Sequence, residues 1–246
     1  MRRARKRTYV KGLDETLEGG IPEGHIILVA GAPGTMKSSI CFSILYNSAL
    51  HNGARGLYLT LEQNKASLVE HLEAMGMKKS EAYKDISVFD MSALRKNLSF
   101  IKAEGSWITL FKAFLKNLVE SDAYDFIVID SLNVLETMAD FDVRRTELFY
   151  LFEWLKDLGT TTFIVSETLG DVFAPGKEVD EAYLADGVFH VSLYPVSDLD
   201  VQRRIRCVKL RGTKHDMGSF AFVWNGDVFE ITRAVSVARS TKAEQV

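Results

Sequence analysis

Short unbroken apolar blocks alternate along this chain with stretches of helical periodicity, until the pattern changes near Gly187. Ile26-Ile27-Leu28-Val29-Ala30, Leu57-Tyr58-Leu59-Thr60-Leu61, Ile86-Ser87-Val88-Phe89-Asp90, Phe126-Ile127-Val128-Ile129-Asp130-Ser131 and Thr161 to Val165 read as strands. Continuous apolar runs of this kind suit strands buried on both faces of a parallel sheet. Between them, apolar spacing predicts helices over about Lys37 to His51, Lys65 to Met75, Trp107 to Val119 and Arg144 to Leu158. Asn52-Gly53, Gly76 and Gly159 stop three of these helices. No element is read between Ser131 and Arg144. Met91 to Gly105 reads as irregular, and Thr168 to Asp186 as a loop with a short helix. From Gly187 onward the pattern is all strand: Val188 to Leu193, Arg203 to Leu210, Phe220 to Trp224 and Val228 to Ile231. Turns at Asp198-Leu199-Asp200 and Asn225-Gly226-Asp227 make these antiparallel hairpins. The prediction is one α/β domain over residues 12–234, with a mainly parallel central sheet, flanking helices and C-terminal antiparallel hairpins. A basic arm, 1–11, precedes it and a polar, mobile tail, 235–246, follows.

Composition narrows the class only a little. With 246 residues, 47% hydrophobic and 26% charged, the chain can bury one sizeable core. A formal net charge of -3 gives no global attraction to nucleic acid or membrane. Arg2, Arg3, Arg5, Lys6 and Arg7 form a local basic run, read as a solvated, frayed terminus, with an arm for nucleic acid as the alternative. The two cysteines, Cys41 and Cys207, sit in apolar patterns and suit buried thiols in a reducing cytoplasm. No apolar run reaches the ~18 residues of a membrane span.

The chemistry concentrates after the first strand. Gly31, Ala32, Pro33, Gly34, Thr35, Met36, Lys37, Ser38 and Ser39 lie between that strand and a helix, the layout of a phosphate-binding loop. Small residues let backbone N–H groups turn toward phosphate oxygens, and the helix N-terminus adds partial positive charge. Lys37 can reach the β/γ-phosphates, and the Ser38 hydroxyl can take a Mg²⁺ position. Met36 stands where the pattern has a second glycine. We expect it in the right-handed conformation of a first helical turn, where Met is a good helix former. A left-handed position would add roughly 1 kcal/mol or more of strain and distort the loop.

Three further groups stand out. Asp130 ends an apolar strand, where an acid can hold Mg²⁺. Glu62 ends the strand after the first helix. It is read equally as a general base toward the γ-phosphate or as an exposed strand-end acid. Lys209 and Arg211 alternate within Lys209 to His215, so both face one side of a strand. Locally, that pair reads as a charged edge guarding against aggregation, or as compensation for phosphate charge.

Together these residues resemble KaiC-like ATPases of the RecA superfamily, from about Gly12 to Ile231. The resemblance rests on Gly12 to Glu15 with Gly19 to Gly24, Gly31 to Ser39, Leu59 to Glu62, Ile127 to Ser131, Val143 to Arg145 through Thr161, Ala185 to Val188, and Lys209 to His215. It implies a RecA-like core, binding of ATP with Mg²⁺, and ATP hydrolysis with Glu62 as catalytic base. It also implies a homo-oligomeric ring, usually a hexamer, in which Lys209 and Arg211 reach a neighbour's nucleotide and His215 lies near it. Gln63 stands where many members have a second glutamate. Ala182 and Tyr183 stand where the clock protein's phosphorylated half has a Ser-Thr pair, so its autokinase activity is not implied. Two alternatives accompany the ATPase: a low-turnover, nucleotide-gated assembly module, motivated by Met36 and Gln63, and a recombinase-like DNA-binding ATPase, motivated by the basic arm.

Overall fold

The computed structural model describes residues 3–78, 81–91, 106–168, 180–197, 199–226 and 228–234. Their main feature is a nine-stranded sheet in the order β11-β10-β9-β8-β3-β7-β6-β4-β5. Its strands are β3 (Ile26–Gly31), β4 (Gly56–Thr60), β5 (Ile86–Asp90), β6 (Phe126–Asp130), β7 (Thr161–Glu167), β8 (Gly187–Pro195), β9 (Val201–Leu210), β10 (Phe220–Trp224) and β11 (Phe229–Arg233). The six strands from β8 to β5 pair in parallel. The joins β8–β9, β9–β10 and β10–β11 are antiparallel, as the change of pattern after Gly187 predicts.

Helices cover both faces. They are α1 (Leu13–Thr16), α2 (Lys37–Asn52), α3 (Lys65–Ala74), α4 (Trp107–Ser121), α5 (Leu132–Ala139), α6 (Arg144–Asp157) and α7 (Asp180–Leu184). Strand alternation divides the core in two. Ile27 and Val29 of β3 pack with Ile40, Ile44 and Leu45 of α2 on one side. Ile26, Leu28 and Ala30 share the other side with Phe111 and Leu115 of α4 and with Leu148, Leu151 and Phe152 of α6. The central strands β3, β4 and β6 are therefore buried along their whole length, which is why their sequences show no polar alternation.

Two regions differ from expectation. Arg5–Lys6, read as part of a frayed arm, form β1 and pair antiparallel with β2, Ile21–Pro22. Arg5 donates to the Leu17 and Gly20 carbonyls at 3.1 and 2.9 Å, and Lys6 reaches Asp125 at 2.6 Å. These side chains are used within the chain, which takes two charges from any nucleic-acid arm. Helix α5 fills part of the interval in which no element was read. The expected irregular stretch after Met91 and the mobile tail lie outside the described residues, as does most of the loop before α7.

Candidate active site

The parallel strands bring their C-terminal ends level. Gly31 pairs with Glu167 across β3 and β7, Asp130 with Val165 across β6 and β7, and Thr60 with Asp130 across β4 and β6. Residues that leave this edge therefore converge, the usual place for a site in an open parallel sheet. The cleft there measures about 840 Å³, and Lys37, Ser38, Glu62 and Glu167 are among the residues that line it.

The phosphate loop turns from β3 into α2 under close constraint. A Cβ on Gly31 would lie 2.0 Å from the Val191 carbonyl oxygen, so glycine is the residue that fits. The Ala32 carbonyl accepts from Thr35 Oγ1 at 2.8 Å and from Lys37 Nζ at 3.0 Å. Met36 is the N-cap of α2 and adopts φ 70, ψ 29, in the left-handed region. The expectation of a right-handed turn is thus corrected. The missing glycine sits where glycine alone is unstrained, and Met there costs roughly 1–2 kcal/mol. Met36 packs its side chain against the α2-side core, which offsets part of that cost. It supplies no side-chain acceptor to the first turn, so no cap competes for those N–H groups.

Charge in the cleft is arranged around Lys37, which is 6% exposed. Burial lowers its pKa, opposed by the negative charges of Glu167, Asp130 and Glu62. Asp130 is also buried. Desolvation raises its pKa, while hydrogen bonds from Tyr58 and Ser38 act the other way. Tyr58 donates to Asp130 Oδ2 at 2.5 Å. The Ser38 hydroxyl and the Asp130 carboxylate thus sit together as hard oxygen donors, a set that fits Mg²⁺. Glu62 lies at the mouth of the cleft, more exposed, and accepts a hydrogen bond from Ser131 Oγ.

The structure therefore gathers Lys37, Ser38, Asp130 and Glu62 at one place. Lys209 and Arg211 do not line this cleft. Lys209 Nζ donates to the carbonyls of Ala182, Tyr183 and Ala185 at 2.9, 2.9 and 2.7 Å, which engages all three of its protons. Burial lowers its pKa to about 8. Arg211 contacts Asp186 Oδ1 and the Tyr183 carbonyl, both at 3.0 Å, with half of its side chain exposed. His215 Nδ1 lies 3.1 Å from the Thr213 carbonyl, and its Nε2 is buried without a hydrogen-bond partner.

Four residues in or beside the cleft carried no assignment from sequence. Glu167 contributes the largest opposing charge at Lys37, and its place after an apolar strand was the available signal. Ser131 positions Glu62. His71 lies 3.4 Å from Ser39 Oγ. Arg203 Nε donates to the Gly34 carbonyl at 3.1 Å, bringing a cation from β9 onto the loop. Nothing in local sequence distinguishes Arg203 from its neighbours.

A family model described as ATPase: KaiC matches residues 6–235. The chain belongs to that family. It is 28% identical over 251 residues to a UPF0273 protein of Aeropyrum pernix, an alignment spanning 95% of this chain and 98% of that protein. It is 27% identical over 244 residues to the circadian clock oscillator protein KaiC of Picosynechococcus sp.. That alignment takes in 92% of this chain but 44% of the clock protein, so the chain spans less than half of its length. The fold is similar to the crystal structure of a KaiC-like protein from Pyrococcus horikoshii, with a TM-score of 0.77 at 24% identity over 93% of this chain and 99% of that one. The nine-stranded α/β architecture is that of this RecA-like, KaiC-type fold. Among the described residues no helix is long and apolar enough to cross a membrane.

Proposed function

We propose that this KaiC-family protein binds ATP at the phosphate loop and hydrolyses it. The observation that supports this best is the placement of one buried cation, Lys37, opposite carboxylates from three strand ends, Glu62, Asp130 and Glu167. Lys37 leaves the Ala32 carbonyl to meet the phosphates, and the first-turn N–H groups of α2 hold their oxygens. Phe222 and Trp224 give the cleft an apolar wall suited to a purine. Glu62, oriented by Ser131, takes a proton from water as its oxygen bonds to the γ-phosphorus and the bond to the β–γ bridging oxygen breaks. Ser38 and Asp130 would hold a Mg²⁺ ion, which would supply charge neutralisation on the phosphates.

Arg211 completes the site of a neighbouring copy in a ring, a hexamer in the simplest reading, while Lys209 holds the α7 carbonyls on which Arg211 is seated. Lys209 itself reaches a neighbour's phosphate only by exchanging those carbonyls. The left-handed Met36 favours slow turnover over fast, which keeps the nucleotide-gated assembly reading as the second choice.

Glu62→Gln is the test. The variant is expected to retain nucleotide while steady-state phosphate release falls ~10²–10⁴-fold, the span of general-base contributions. Unchanged release would remove Glu62 from the mechanism.

A further inference from the structure

Behind the phosphate loop, β8 and β9 wall a second cavity of about 520 Å³. It lies on the sheet face opposite α2. Phe189 and Val191 of β8 and Ile205 and Cys207 of β9 turn into the α2-side core. Their alternates, His190, Ser192 and Tyr194 with Arg204 and Arg206, line the cavity. The register sets His190 opposite Arg206 and Ser192 opposite Arg204. Ala32 forms part of the wall, so an occupant touches the phosphate loop from its far side.

Arg204 is 8% exposed. Its Nε donates to Gln202 Oε1 at 3.1 Å, and its guanidinium carbon lies 3.7 Å from the Tyr194 ring centroid. Its Nη2 is buried with no hydrogen-bond partner. A desolvated guanidinium donor without an acceptor is costly, and an anion in the cavity would supply one. Arg206 commits its Nε to the Met217 carbonyl at 2.7 Å, and Ser219 adds a hydroxyl. No acidic side chain is among the described residues that line the cavity.

We propose that this cavity binds the phosphate group of a phosphorylated small molecule. Two guanidinium groups with the hydroxyls of Ser192, Tyr194 and Ser219 offer more donors than a carboxylate's roughly four lone-pair sites accept, and they suit the three terminal oxygens of a phosphate monoester. The volume exceeds that of a lone oxyanion and falls within the usual range for organic ligands. Such a ligand presses on Ala32, the residue whose carbonyl holds Lys37.

The test is calorimetric titration with inorganic phosphate and glycerol phosphate on Lys37→Ala protein, whose nucleotide site is disabled. Saturable binding of both is expected, weakened ~tenfold or more by adding Arg204→Lys or Arg206→Gln, the loss expected for a charge-assisted hydrogen bond. Thermal melts establish that each variant is folded, and the less buried Arg206 serves if Arg204→Lys is not. Absence of phosphate binding, or binding unmoved by either added substitution, overturns the site. Acetate bound as tightly as phosphate overturns the ligand class. The outcome does not depend on whether the phosphate loop turns over ATP.

Discussion

The phosphate loop and the Lys209 to His215 run are both short, basic and placed at strand ends, yet the chain treats their cations differently. Lys37 is bonded to one carbonyl of its own loop and faces three carboxylates across a cleft. Lys209 is saturated by three carbonyls of α7 and the turn that follows it. That segment is itself anchored by Arg144, which bonds Glu136 at 2.9 Å and the buried Glu181 at 2.8 Å. The first arrangement leaves a cation with one weak tether and room for an anion. The second is a closed joint that aims the half-exposed Arg211 outward. The two cations thus differ in how fully their donors are used within the chain.

The largest expected effect breaks the first half of this comparison. Lys37→Ala should reduce hydrolysis ~10²–10³-fold, the loss typical of one preorganised charge-stabilising donor, measured as phosphate release at saturating nucleotide. A smaller loss would mean that Arg203 on the Gly34 carbonyl replaces it. A moderate effect is expected at the loop's strained position. Met36→Gly relieves the left-handed conformation and, after the added freedom of the unfolded chain, should raise unfolding free energy by up to about 1 kcal/mol, read from denaturant melts. Faster turnover should accompany it.

The smallest effect concerns the second half. The Lys209 pKa of about 8 lies below its unfolded value of 10.5, so between these values the unfolded chain binds the extra proton. Stability contributed by this group therefore rises as pH increases from 8 to 10.5. Lys209→Met should flatten that rise relative to the unsubstituted protein in melts across the same window. An unchanged slope would show that the ammonium is not desolvated as the α7 joint requires.

The parallel core was legible because burial on both faces leaves unbroken apolar runs, and because Gly stops bound the helices between them. Lys37, Asp130 and Glu62 were legible for the same reason: each follows such a run, and topology makes those ends converge. Helix α5 was not, since Leu132, Leu135 and Met138 repeat over only eight residues, fewer than periodicity needs to separate helix from loop. The pairing of Arg5–Lys6 depends on a partner strand two residues long. The φ of Met36 is set by the loop's closure rather than by Met's own preference. Which cations a chain turns inward, as with Lys209, follows from where α7 ends, a tertiary fact that local sequence does not carry.

The central claim is that the nucleotide site is built within one chain and completed by Arg211 of another. Mixing Lys37→Ala protein with Arg211→Ala protein, each inactive alone, tests it directly by steady-state phosphate release. In mixed assemblies some intact phosphate loops face intact Arg211 side chains, so hydrolysis should reappear and follow the mixing ratio with a maximum near equal parts. No recovery at any ratio, with assembly of both proteins verified by light scattering, would contradict a shared site.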